Sequence, residues 1–181
     1  MKYLFGKIKT NAVWILFSVV IFTTSCSVTE NKTIIDTGSR KKELIGTCTR
    51  DGFEKAEYKS WFKEEYSGYI PKKEITDKLK DPSLYRNLKV KIIFGTWCSD
   101  SRRELPRFYK IVDSASIPQN IINLTAVDTK KSSRDKNIDG ISFTRIPTFI
   151  FYKSNKEAGR ITERPEKSLE EDMLNILSSV K

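Results

Sequence analysis

The sequence predicts an α/β domain built on a mixed sheet, and three observations carry that reading. First, three short and mostly apolar runs, at 88–94 (LKVKIIF), 121–127 (IINLTAV) and 148–152 (TFIFY), have the length of buried strands. Second, segments of helical period lie between and after these runs. Third, the connections differ in kind. A helix-length segment joins the first two runs, which makes them parallel neighbours. A tight turn follows the third, which makes its partner antiparallel. A chain of 181 residues with 38% apolar content suits one such core plus appendages.

The elements follow in order. Lys2, Lys7 and Lys9 precede a twelve-residue apolar run, 12–23 (AVWILFSVVIFT). A membrane span needs about 20 such residues, so residues 1–25 read as an export signal. Thr23-Thr24-Ser25-Cys26 closes it and resembles the lipobox of bacterial lipoproteins, with Thr23 where a leucine is usual. That resemblance implies acylation at Cys26 and attachment to the cell envelope through a lipid anchor. Residues 26–42 are polar and read as a tether. Residues 43–86 read as a helical N-terminal extension. Phe53, Tyr58, Trp61, Phe62 and Tyr66 mark one face of a first helix. A second, at 71–79, begins at Pro71, and Asp81-Pro82 breaks the chain.

Residues 87–181 form the main domain. The strand 88–94 leads through Gly95-Thr96-Trp97 into a helix at 99–115, with Leu105, Phe108, Tyr109 and Val112 on one side. The strand 121–127 and a short helix at 132–138 follow. The strand 148–152 then turns at Ser154-Asn155 into a fourth strand, 157–162. Ser168 and Glu171 have capping-box spacing at the start of a closing helix that runs to Val180. The order is β-α-β-α-β-β-α.

Composition excludes much chemistry. There is no histidine, so Ser-His-Asp and Cys-His pairs, HExxH sites and Cys2His2 zinc sites are impossible. The three cysteines, Cys26, Cys48 and Cys98, form no CxxC motif. No metal and no cofactor is expected. The formal charge is +10, but the basic residues are dispersed among acids, and no nucleic-acid module accompanies them.

One segment narrows the function. Trp97-Cys98-Ser99-Asp100-Ser101 follows an apolar strand and opens a helix. Pro106 lies inside that helix, where proline is costly. Ile146-Pro147-Thr148 leads into another apolar strand. Together these resemble the thioredoxin family: its WCxxC segment with Ser101 in place of the second cysteine, its helix proline, and its cis-proline loop. GTWCSDSRRELPRFYK resembles a subgroup in which WCxDS replaces WCxxC, and the resemblance spans residues 88–181. It implies a thioredoxin fold, a cis bond before Pro147, Ile146 backbone groups that pair with an extended client, and Trp97 on the rim of the thiol. The family's dithiol enzymes carry a buried acid six residues before the first cysteine. Here that residue is Ile92.

A helix N-terminus offers free N–H groups and a partial positive charge, which favours thiolate over thiol. Cys98 is therefore the expected nucleophile. Ser101, one turn on, is placed to donate to it. Asp100 stabilises the helix start but opposes a nearby thiolate. Without a neighbouring thiol, attack on a disulfide halts at a mixed disulfide until an external thiol resolves it. The expected activity is monothiol-disulfide exchange, of reductase or isomerase type, on disulfide- or thiol-bearing protein clients. Cys48 is either an internal resolving thiol or a packed residue. The competing reading is a redox-inactive binding module. A peroxide-reducing site is disfavoured by Gly95, where such relatives carry threonine. Client, electron donor and oligomeric state stay open.

Overall fold

The computed structural model describes residues 30–180. The export signal and the acylated Cys26 lie outside the described residues. The chain forms a six-stranded mixed sheet and four α-helices. In chain order these are β1 (Lys32–Ile35), β2 (Lys42–Cys48), α1 (Ala56–Gly68), α2 (Lys73–Leu79), β3 (Leu88–Phe94), α3 (Ser99–Ser114), β4 (Ile122–Ala126), β5 (Thr148–Lys153), β6 (Lys156–Thr162) and α4 (Leu169–Ser178). The strands lie in the order β1-β2-β4-β3-β5-β6. β3 and β4 are parallel, as a helical crossover requires, and the other pairs are antiparallel.

The sheet divides the interior into two unequal parts. Val90, Ile92 and Phe94 of β3 share one face with Leu124, Ala126, Phe149 and Phe151. All four helices pack on that face. Tyr58 and Phe62 come from α1, Leu79 from α2, Leu105, Phe108 and Ile111 from α3, and Leu169, Met173 and Leu177 from α4. Phe53 stacks on Phe62 at a centroid distance of 4.8 Å and extends this core beneath α1. Ile93, Val127 and Ile150 occupy the opposite face. Their cover is the connection between β4 and β5, residues 127–147, whose Ile138, Ile141 and Phe143 lie half-buried on them.

Polar ties hold that connection down. The Lys91 ammonium donates to the Asn137 carbonyl. Arg160 Nη1 donates to the Ser142 carbonyl at 2.7 Å. Asp135 accepts from the Thr47 hydroxyl at 2.7 Å and from the Thr47 N–H. The helix expected at 132–138 is only a single 3-10 turn, Lys136–Ile138. Asp135 spends its carboxylate on Thr47 rather than on capping a helix.

The N-terminal part also departs from expectation. The tether of residues 26–42 contains β1, which pairs with β2 in the register Lys32 to Ile45 and Ile35 to Lys42. The extension at 43–86 is not wholly helical, because it opens with most of β2. Leu44 is fully buried there and joins the same core as α3 and α4. β2 meets β4 through Gly46–Ala126 and Cys48–Leu124. The segment is thus integral to the sheet and not an appendage.

Candidate thiol site

Cys98 is the N-cap residue of α3, with extended backbone angles (φ −84°, ψ 126°). β3 aims the chain at this position. The Cys98 N–H closes the turn onto the Gly95 carbonyl at 3.1 Å, and the Cys98 carbonyl accepts the first helical bond, from Arg102, at 3.0 Å. The sulfur is half-exposed and forms no disulfide among the described residues. Its thiol faces the loop ahead of β5 and donates to the Ile146 carbonyl at 3.5 Å. The Ile146-Pro147 bond is cis. The sequence-predicted Cys98, Ile146 and Pro147 therefore do meet. Only the protonated thiol can make the bond to Ile146, so ionisation would free that carbonyl.

Trp97 lies beside the sulfur in the smaller apolar cluster. Its indole N–H donates to the Val127 carbonyl at 3.0 Å. This ring packs closely against Gly95. A Cβ at that glycine would sit 2.6 Å from the indole nitrogen and 3.0 Å from Ile146 Cδ1. Gly95 is thus required by the close approach of Trp97 and Ile146, whatever its backbone conformation.

Ser101 is 2% exposed, and its Oγ accepts from the Gly95 N–H at 3.3 Å. Among the described residues no hydrogen bond joins Ser101 to Cys98. Its visible work is to tie the helix to the turn. Asp100 Oδ1 accepts from Arg103 Nη2 at 2.7 Å and from Arg164 Nε at 3.2 Å. Burial pushes the Asp100 carboxyl up, but the two guanidiniums outweigh it and hold the group below the usual aspartate value. The repulsion expected between Asp100 and a thiolate is therefore largely offset by its own partners.

Residues that sequence reasoning passed over complete the surroundings. Arg102 Nε donates to the Thr96 carbonyl at 2.6 Å, and its guanidinium lies over the Trp61 ring. Thr96 Oγ1 accepts from the Leu44 N–H at 3.2 Å, joining the turn to β2. Glu43 is 2% exposed, with one carboxylate oxygen buried and unpartnered. Burial, with Asp36 and Asp128 adding repulsion and Arg102 opposing them, raises it above the usual glutamate value. The i,i+3 spacing of Asp100 and Arg103 was a legible signal. The contacts of Arg164, Val127 and Glu43 arise only from the fold.

Cys48 lies in β2 beside Leu124, packed in the larger core and 5% exposed. Its thiol donates to the Gly46 carbonyl at 3.4 Å. Burial pushes it up to about 12. Such a thiol stays protonated at neutral pH and is a poor nucleophile, which fits the packed residue and not the resolving partner. Among the described residues no group of His, Cys, Asp or Glu is arranged to hold a metal ion.

No family model matches the chain. No curated protein matches it either. Among solved structures it is similar to a protein of unknown function from Pseudomonas aeruginosa, at 17% identity and a TM-score of 0.47, over 67% of this chain and 81% of that one. It is also similar to an HIV epitope-scaffold, at 16% identity and a TM-score of 0.46, over 67% of this chain and 82% of the other.

Proposed function

We propose that this protein is a thioredoxin-like monothiol, exchanging disulfides with protein clients through Cys98 and released by an external thiol. The observation that carries the reading is a half-exposed sulfur at the mouth of α3, 3.5 Å from the carbonyl that precedes a cis-proline. The sulfur stands at the N-terminus of a helix that opens at Ser99, and the turn before it is closed by the Cys98 N–H. The chemistry balances without a second cysteine. Cys98 Sγ⁻ attacks one sulfur of a client disulfide, a new S–S bond forms, and the other client sulfur leaves as thiolate. A small external thiol then attacks the mixed disulfide and restores Cys98. Export and acylation at Cys26 belong to the same proposal, since an oxidising compartment supplies disulfide clients. Replacing Cys26 with serine should release the chain from the membrane fraction.

The test uses hydroxyethyl disulfide, a small neutral reagent. Mass mapping after the reaction should find the adduct on the peptide carrying Cys98 and none on Cys48, and Cys98→Ser should remove it. Absence of a Cys98 adduct in the wild-type protein would overturn the proposal.

A second reading, a binding module without turnover, is favoured by two specific observations. Ser101 occupies the place of a resolving thiol and is committed to Gly95, and Ile92, fully buried, occupies the place of the proton-carrying acid. It requires Cys98→Ser to behave as wild type in cells, whereas a phenotype equal to deletion excludes it.

A further inference from the structure

The groups that flank the sulfur are basic and layered. Asp100, in the helix turn after Cys98, and Glu163, paired with the residue before Ile146, each hold an arginine, and their side-chain exposures are 15% and 33%. The arginines that cover them lie outward. Arg164, paired with Asp100, is 70% exposed, and Arg145, paired with Glu163, is 67% exposed. Arg103 adds a second guanidinium on Asp100. Arg145 immediately precedes the Ile146 carbonyl that receives the thiol, and Arg164 reaches the first turn of α3 two residues beyond Cys98. Arg145 is thus next in sequence to the residue that receives the thiol, and Arg164 is held on the helix turn that Cys98 opens.

Lys131 strengthens the asymmetry. Its ammonium donates to the Thr144 carbonyl, on the same loop as Arg145, and no carboxylate pairs with it among the described residues. Acids also work against the field: Glu166 and Asp172 line the same hollow as Arg164. Asp128 is half-buried next to Val127, and its Oδ1 is occupied by the N–H groups of Lys130 and Ser132. The formal charge is +10 for the full sequence and about +7 once residues 1–25, with Lys2, Lys7 and Lys9 and no acids, are removed, and it reinforces rather than opposes the local field.

Resting on the reading of Cys98 as an exchanging thiol, we propose that its clients are acidic: peptide segments with Asp or Glu flanking the disulfide, selected by Arg145 and Arg164. Two exposed guanidiniums meet carboxylates without desolvation, so the selection acts on encounter more than on final affinity. It should therefore weaken with salt. In the exchange itself, Cys98 Sγ bonds to the client sulfur nearer the acidic flank. The other client sulfur departs as thiolate into solvent and takes up a proton there.

The experiment compares three disulfides on the intact protein: one flanked by glutamates, its counterpart flanked by lysines, and neutral hydroxyethyl disulfide. Formation of the Cys98 adduct is followed by quenched mass spectrometry. At low ionic strength the acidic peptide should react roughly tenfold faster than the basic one, and the ratio should shrink to about twofold near 0.5 M salt. The Arg145→Ser, Arg164→Ser double variant should bring the low-salt ratio close to one. The ratio is read within one protein, so a partly unfolded variant does not imitate the result. Equal peptide rates alongside a reactive neutral disulfide would overturn the acidic-client proposal and leave the thiol reading standing. No adduct with any of the three would overturn both.

Discussion

Glu43 shows how a single residue in the fold is made sensitive to pH. Its carboxyl is 2% exposed and carries an unpartnered oxygen, which is costly when ionised. Burial raises its folded-state value above that of the unfolded chain. A raised acid keeps its proton longer in the native state. Its contribution to stability is therefore fully present below the ordinary glutamate range and is lost as pH rises through the folded value. Denaturant midpoints of wild type and Glu43→Gln, measured from pH 4 to pH 8, should diverge, with wild type losing stability relative to the variant as pH rises. Parallel curves would mean that Glu43 titrates alike in both states. The sequence gives no hint of this residue. Glu43 sits in an ordinary-looking KELIG segment, and only pairing with β1 on one side and proximity to Thr96 through Leu44 on the other bury it. Cys98, Ile146 and Pro147 were legible by contrast only through the family resemblance of the two segments that carry them, because nothing in either segment's own pattern says that they meet. The role expected of Ser101 was not, because which acceptor or donor a hydroxyl chooses depends on sub-ångström placement against Gly95.

At the scale of elements, the best-read parts are those with strong local chemistry. β5 and β6 turn at Ser154-Asn155, both with positive φ, 50° and 63°, as a two-residue hairpin demands. α4 begins at Ser168, whose Oγ accepts from the Glu171 N–H at 3.4 Å and donates to the Glu171 carboxylate at 2.8 Å. This cap does more than start a helix. The next residues carry Glu170, 1% exposed, which accepts from the Tyr69 hydroxyl at 2.6 Å and the Lys72 N–H at 3.0 Å. α4 is thereby tied to the segment between α1 and α2. Ser168→Ala should cost about 1 kcal/mol, seen as a thermal midpoint lower by roughly 2–4 °C. A midpoint unchanged within error would show that the carboxylates of the first turn hold the helix alone. β1 was missed for the opposite reason. It is a four-residue edge strand whose Ile35 is 65% exposed, so it has no burial pattern to read. In β2, adjacent Leu44 and Ile45 are both buried, one on each face of the sheet, which erases the period-two signal.

The whole molecule is lopsided, and the lopsidedness bears on the site. One face of the sheet carries all four helices and the larger core. The other is covered by residues 127–147, which contribute only half-buried Ile138, Ile141 and Phe143 and end at the Ile146-Pro147 bond against Cys98. Long connections with little regular structure open at lower free energy than the sheet beneath them. The cover should thus loosen without global unfolding, and its loosening should reach the sulfur through Ile146. Two phenylalanines separate the cases. Phe149, 1% exposed in β5, belongs to the helical side, and Phe149→Ala should cost about 3–5 kcal/mol. Phe143→Ala removes a half-buried ring and should cost only about 1–2 kcal/mol. It should nevertheless raise amide exchange across 134–145 about tenfold and speed alkylation of Cys98 in the folded protein. Exchange rising equally in β3 and β4 would mean that the cover and the sheet open together. The arrangement around Cys98 would then be as rigid as the core itself, with Ile146 unable to yield its carbonyl to a client independently of the fold.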